Sequence, residues 1–423
     1  MTSRERVEKA LAHQEPDKVP FDVGGTPVTG MHVSSVYALR QSLGLDPPGT
    51  PVKVVDPFQM LGEIKPDLID ALNIDVLGLS WVFNVFGFKN EGWKPWTTFD
   101  GVPVFVPELF NTEPEPNGDI LMYPQGDKTA APCAKMPYGG HYFDAIVRQP
   151  PIDESELKVE DNLEEFGPIS EKEIEHYRRE IEYLYKNTDK AICTAFAGLA
   201  LGDIALVPAM WMKDPKGIRD IEEWYVSLYT RRKLIKEIFD RQSLLAVENL
   251  ERIHQAIGDK LTAVFVTGTD FGMQQGPFIA PELYREIFQP FHKRLNGWIH
   301  EHTAWKTFIH SCGSVWKLIP DFIESGFDIL NPVQTSAADM NPEELKKEFG
   351  DRIVFWGGGI DTQRTLPFGT PEEVEKEAKD RIQIFGRKGG FVFSAVHNIQ
   401  SKVPVENLRT LFKTVKEQRA YPL

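Results

Sequence analysis

Cysteine is scarce in this chain: there are three in 423 residues, at positions 133, 193 and 312. An odd, widely spaced set offers no disulfide framework and suits a reducing compartment, so a cytoplasmic protein is expected. No run approaches the ~20 apolar residues that a bilayer-spanning helix needs. The opening stretch, MTSRERVEKALAHQEPDKVP, is charged and has no apolar signal core, so no membrane partner is expected. Positive charge is also short. The 47 Lys and Arg face 62 Asp and Glu, a formal net charge of −15, which excludes a broad nucleic-acid-binding face. No G-x-G-x-x-G follows the first apolar segment, which argues against an open dinucleotide-binding sheet. What remains is an ordinary globular composition, 41% apolar and 26% charged.

Short β-rich runs recur, mostly followed by helical patterns. Strands are expected near 18–25, 74–80, 190–198, 262–272, 305–313, 327–334, 352–361 and 389–399. The later ones are near-continuous apolar runs, as in strands buried on both faces. PELYREIFQPFHKRLNGWIHEH carries Leu283, Ile287, Phe291, Leu295 and Trp298 or Ile299 on one stripe, with a kink expected at Pro290. PEEVEKEAKDRIQIFGRKGG opens with proline and acids and closes with basic residues and glycine. Eight strands with helices between them predict an α/β fold, a (β/α)8 TIM barrel, as one domain over 1–423. Residues 82–165 break the rhythm. They are rich in Pro, Gly and aromatics and alternate like hairpins, so a large insertion after the second strand is expected, lying lid-like over the barrel mouth.

Chemistry in such a barrel sits at the carboxyl ends of the strands. Those ends read Gly24 and Gly25, Ser80 and Trp81, Thr269 and Asp270, His310 and Cys312, Asn331 and Gln334, Asp361, then His397 and Asn398. In TFIHSCGSVW, His310 and Cys312 are two apart on a strand and converge on one side, and Gly313 lets the chain turn away. Imidazole and thiolate are zinc ligands. A third must come from another strand end, and His397 is the best candidate. Cys133 lies in the insertion and Cys193 lies early in its strand.

TDFGMQQGPFIAPELYREIFQPFHKRL resembles the stretch after the fourth strand in the uroporphyrinogen decarboxylase superfamily. HSCGS, GFDILNPVQ, VFWGGGIDTQRTLPFGTPEEV and FVFSAVHNIQSKVPVENLRTLF continue the similarity to the C-terminus, and RERVEKALAHQEPDKVPF resembles its start. The resemblance covers roughly the first 80 residues and everything from about 190 onward. It implies a (β/α)8 barrel and one of two activities. The decarboxylases carry an arginine-rich signature after the first strand and an aspartate at the end of the second. Here no arginine occurs between Arg6 and Arg40, and the second strand ends GLSW. Such a site lacks the charge to grip an octa-anionic porphyrinogen.

The other branch comprises zinc-dependent methyltransferases working with corrinoid proteins, and the H-x-C of strand five is similar to theirs. In the coenzyme M members the third ligand is a cysteine near the end of strand eight, where this chain has His397. A histidine there also occurs in the metal-free decarboxylases, so His397 is either a ligand or a substrate contact.

The expected function is transfer of a methyl group from a small donor, favoured an aryl methyl ether, to the corrinoid (cobalamin) of a corrinoid-binding partner, with Zn2+ bound by His310, Cys312 and His397. Alternatives are a methylcobalamin:thiol methyltransferase and a metal-free ligand-binding or decarboxylase-like barrel. Asp270, flanked by glycines in GTDFG, is expected to handle the proton beside the metal, with His397 as its catalytic neighbour. Trp81, Gln334, Asp361 and Asn398 are expected to contact substrate. For Asp270, Gln334 and Asp361 the competing role is capping the helix that follows. Trp93, Trp96, Phe99, Tyr138, Tyr142 and Phe143 would surround an aromatic ring or form the insertion's own core. The oligomeric state stays open, a homodimer among the options.

Overall fold

Seven of the eight expected strands form one all-parallel, curled sheet. In the computed structural model, which describes residues 1–196 and 198–423, its order is 391–392, 354–356, 329–331, 306–310, 263–267, 191–195, 76–78. Residue 197, inside the expected strand 190–198, lies outside the described residues. The strands are shorter than the apolar runs that announced them. The expected strand at 18–25 survives as two isolated bridges, Lys18 antiparallel to Ala420 and Phe21 parallel to Phe393. Asp22 N–H donates to Phe393 O (2.9 Å), Phe393 N–H donates to Pro20 O (2.9 Å), and Asp75 N–H donates to Phe21 O (2.8 Å). Pro20, between the two bridges, has no N–H to give, and Gly24 turns the chain at φ +88°.

Alternation along each strand sorts side chains into two layers. Val76, Ala191, Cys193, Ala263, Phe265, Phe308, Ile329, Val354, Trp356 and Val392 make one buried cluster inside the curl. Their neighbours in sequence, such as Ile192, Val264, Ile309, Leu330 and Phe355, belong to a second and larger cluster with the helices. The stripe read on 281–302 is buried as expected at Leu283, Ile287, Phe291, Leu295 and Ile299. That helix is split into Pro281–Ile287 and Gln289–His302, with Pro290 in the first turn of the second piece. The helix Pro371–Gly386 starts on a reciprocal cap between Thr370 and Glu373.

Residues 82–165 do form hairpins. Lys94–Thr97 pairs antiparallel with Pro103–Val106, which adds in parallel to Val52–Asp56. This last strand was not expected. A second small sheet joins Ile120–Met122, Ala134–Met136 and Asp144–Ala145. Most of the aromatic residues in 82–165 pack on one another: Trp96 and Tyr138 lie edge-on to Phe99, Phe110 lies edge-on to Phe143, and Trp96 is tilted against Phe110, while Tyr138 and Tyr142 are still 73% and 52% exposed. Burying these rings against each other removes more apolar area from water than lining an open cavity would.

At the amino-terminal end of the sheet, Asp75 binds both ends of the chain. Its Oδ1 accepts from Arg6 (2.6 Å) and Ser3 (2.7 Å), and its Oδ2 accepts from Arg419 (2.6 Å) and Phe21 N–H (3.0 Å). Asp75 and Arg419 are each 1% exposed. Removing the carboxylate leaves buried guanidinium charge uncompensated, so Asp75→Ala is expected to cost ~3–5 kcal/mol in urea unfolding. A loss under ~1 kcal/mol would show that Asp17 and the carbonyl partners of Arg419 suffice without it.

Candidate metal centre

The inner layer changes chemistry at the last inward position of two adjacent strands. Phe308 and Ile329 belong to the apolar cluster, and His310 and Asn331, two residues further on, share their side of the sheet. His310 continues the ring stack, with Phe265 5.4 Å from Phe308 and 6.4 Å from His310 between centroids. Its Nδ1 is 2.5 Å from Asn331 Oδ1, and Asn331 Nδ2 donates to Trp356 O at 2.7 Å.

Beyond His310 the chain turns at Gly313 (φ +81°). This turn rests on the loop after Ala263–Thr267. A Cβ on Gly313 would lie 2.5 Å from Gly272 C, and one on Gly272 would lie 2.4 Å from Cys312 O. Neither place admits a side chain. Cys312 Sγ sits 3.3 Å from His310 Nε2, and Cys312 N–H donates to Asp270 Oδ1 at 2.7 Å. Gly313 N–H donates to Gln334 Oε1 at 2.8 Å. Across the site, His397 adopts a left-handed backbone (φ +66°), and its ring lies 5.1 Å from that of His310, edge to face. One donor atom each from His310, Cys312 and His397 lies within 4.8 Å of the others.

Burial dominates the electrostatics. It lowers His310 to about 4 and His397 to about 3, and the neighbouring His310 adds to the effect on His397, so both rings are neutral near pH 7. It raises the Cys312 thiol, helped by the Asp270 carboxylate, and it raises Asp270 against the Cys312 N–H bond. The cluster thus offers neutral imidazoles and a thiol, soft and borderline donors that suit a zinc-sized dication, with the Asp270 carboxyl beside them; a bound cation would invert these thiol and carboxyl preferences. His310 fits that role in detail, since its second nitrogen is anchored by an amide oxygen.

The remaining expected residues divide. Asp270 is at the cluster, and its backbone carbonyl accepts from Tyr225 OH at 2.7 Å. Gln334 holds the Cys312–Gly313 turn. Asp361 is not among the clustered donors: its Oδ1 accepts from Gln363 N–H (2.6 Å) and Arg364 N–H (3.2 Å) and holds the turn that leads into the helix Thr365–Phe368, whose N-cap is Arg364. Asn398 accepts from Gly30 N–H and donates to Pro27 O and Gln59 Oε1, which makes it a brace. Trp81, 42% exposed, stands with Phe83 and Trp93 on a cleft of about 1210 Å3. Gly24–Pro27, Gly78–Ser80 and Cys193–Ala195 form its walls. The brace at Asn398 ties the Pro27–Gly30 wall of this cleft to His397, its sequence neighbour. Sequence reasoning missed two fully buried carboxylates, Asp22 and Asp203, each raised to about 6 by burial. Asp22 accepts from Trp356 Nε1 at 2.8 Å; a lone acid inside the apolar PFDV run was its signal.

The fold agrees with what the chain is similar to. The profile of the uroporphyrinogen decarboxylase (URO-D) family matches residues 139–418, about two thirds of the chain, and the chain belongs to that family. The match does not extend to the first 80 residues, where a resemblance was also read. Among solved structures, a methyltransferase from Methanosarcina mazei shares the fold, with a TM-score of 0.53 and 14% identity over 99% of both chains. No curated protein matches the chain. Among the described residues, no helix is long and apolar enough to cross a membrane.

The buried rings make stability depend on pH. His32 and His310 are lowered to about 4 and His292 and His397 to about 3, all by burial. The unfolded chain takes up protons at these four as pH falls through 6.5 while the folded chain does not, so folding weakens with acid. Asp22 and Asp203 oppose this below about 6, because the folded state protonates them first. Four groups outweigh two, and urea midpoints for the metal-free protein are expected to fall steadily from pH 7 to 4.5. A flat or rising profile would mean that the histidines are solvated.

Proposed function

We propose that the chain is a zinc-dependent methyltransferase that moves a methyl group from an aryl methyl ether to a reduced corrinoid carried by a partner protein. The observation that carries this reading is the meeting of His310, Cys312 and His397 in one cluster at the strand ends. The wider architecture fits it. Segment 20–22, hydrogen-bonded to Phe393 on one side and to Asp75 on the other, supports reading an eighth strand that closes a (β/α)8 barrel of one domain, with 82–165 inserted beside its mouth.

His310 and Cys312 would hold the metal, with His397 on the third side of the cluster. Zinc bound there supplies a Lewis acid that makes the ether oxygen a better leaving group. Trp81, Phe83 and Trp93 offer flat apolar faces to an aromatic donor entering the cleft. Asp270 handles the proton. As a carboxylate beside Cys312 it would take the thiol proton when the cysteine ionises, and burial favours the protonated form that results, from which the proton would pass to the leaving oxygen. Decarboxylation of an octa-anionic porphyrinogen fits poorly. The cleft mixes Lys53, Lys89, Lys172 and Arg179 with Asp56, Glu63, Glu91, Glu171, Glu173 and Glu175, and its inner wall is apolar and glycine-rich.

Protein purified without chelator is expected to carry about one zinc per chain, and Cys312→Ala to lose most of it. A wild-type protein that stays metal-free in excess zinc would end this reading. In single-turnover methyl transfer to Co(I) cobalamin, Asp270→Asn is expected to slow the reaction ~10²-fold with zinc and folding intact. An unchanged rate with lower thermal stability would return Asp270 to the scaffold.

A further inference from the structure

We propose that His310 and His397 are locked in opposite tautomers. His310 turns a bare ring nitrogen to the cluster. His397 has no lone pair to spare and serves as a hydrogen-bond donor to the oxygen of the methyl donor, not as the third metal ligand. The donor role rests on the function proposed above, while the tautomers do not.

Each lock ends on a backbone group that has only one hydrogen-bonding sense. Trp356 O can only accept, so the Asn331 group 2.7 Å away must be its NH2. That fixes the amide, and its Oδ1 is then the atom 2.5 Å from His310 Nδ1. Between an amide oxygen and a ring nitrogen the hydrogen must come from the ring. His310 therefore carries its proton on Nδ1, and Nε2, 3.3 Å from Cys312 Sγ, keeps its lone pair.

The logic reverses at His397. The Asn398 backbone N–H can only donate, and it meets His397 Nδ1 at 2.7 Å. Nδ1 spends its lone pair there, so the neutral ring carries its hydrogen on Nε2. Whichever nitrogen faces the cluster, neither offers a free pair to a cation. The left-handed backbone of His397 folds the ring back onto the next amide, and the Asn398 side chain pins that amide through Gly30, Pro27 and Gln59. Nothing comparable holds a proton on Nδ1. The ring is thus preset to give a hydrogen bond, which an oxygen gathering charge as it loses a methyl group can accept.

The test uses metal-free protein with 15N-labelled histidine and long-range 1H–15N correlation at pH 7. One neutral ring protonated on Nδ1 should vanish in His310→Ala, and one protonated on Nε2 should vanish in His397→Ala. A His397 ring protonated on Nδ1 overturns the proposal. Should either variant not fold, zinc titration of the wild type assigns the rings instead: only the Nδ1-protonated ring should change on coordination. Asn331→Leu should release His310 into mixed tautomers and weaken zinc in chelator competition by ~10–100-fold, while Asn331→Asp, which still accepts, should retain the Nδ1-protonated form. His397→Ala should keep one zinc per chain and lose methyl transfer, and His397→Gln, which restores an N–H, should recover part of the rate. Zinc lost from a folded His397→Ala returns His397 to the ligand set. If the wild type binds no zinc, the methyltransferase reading falls, and the metal-free spectra still decide the tautomers.

Discussion

Everything in this fold hangs on a carboxylate that is out of reach of water. Asp75 gathers Arg6 from the first helix, Arg419 from the end of the last, and Phe21 from the segment beside the sheet. A buried ion set of this kind is a poor source of net stability, and here it joins two guanidinium groups from opposite ends of the chain through one carboxylate. Because the two chain ends and the strand Val76–Gly78 converge on one residue, the amino-terminal end of the sheet has a single arrangement. The opposite end is then free to carry chemistry on loops.

The second constraint is the alternation of inward side chains. The curl is filled by apolar residues up to the level of Phe308 and Ile329, and polar groups begin one inward position later. His310 and Asn331 therefore stand on a dry floor. That floor makes their hydrogen bonds strong, makes unpaired groups costly, and keeps the imidazoles neutral. Site and core are continuous here, and the pKa values of the cluster follow from the packing beneath it.

Much of this was readable beforehand for a physical reason. Strands buried on both faces and helices with one apolar stripe leave strong periodic signals, and those regions were placed well. The H-x-C pair was readable because two residues on one strand must point alike. The misses share a cause too. The strand Val52–Asp56 lies between a two-residue antiparallel partner at Leu61–Gly62 and a parallel one about fifty residues away at Pro103–Val106, and so local pattern alone did not announce it. The aromatic residues of 93–143 could be read as a cage or as the insertion's own core, because composition says that rings cluster but not around what. Asp361 and Asn398 were read as substrate contacts because they stand at strand ends, and the bonds that hold Asp361 Oδ1 to backbone and Asn398 to Gly30, Pro27 and Gln59 have no local sequence signature. The tautomer-setting contacts of Asn331 and Asn398 are geometric and have no sequence signature.

The meeting of Gly272 and Gly313 bears on how such a site can diversify. Two loops touch there backbone to backbone, with no space for even a methyl group. The position of Cys312 is thus inherited from main-chain geometry, which neither side-chain repacking nor gradual substitution can retune. A mutational library covering the mouth would find positions 272 and 313 closed. Adaptation to a new donor would have to accumulate elsewhere, as in the cleft wall where Trp81, Phe83 and Trp93 are partly exposed and replaceable.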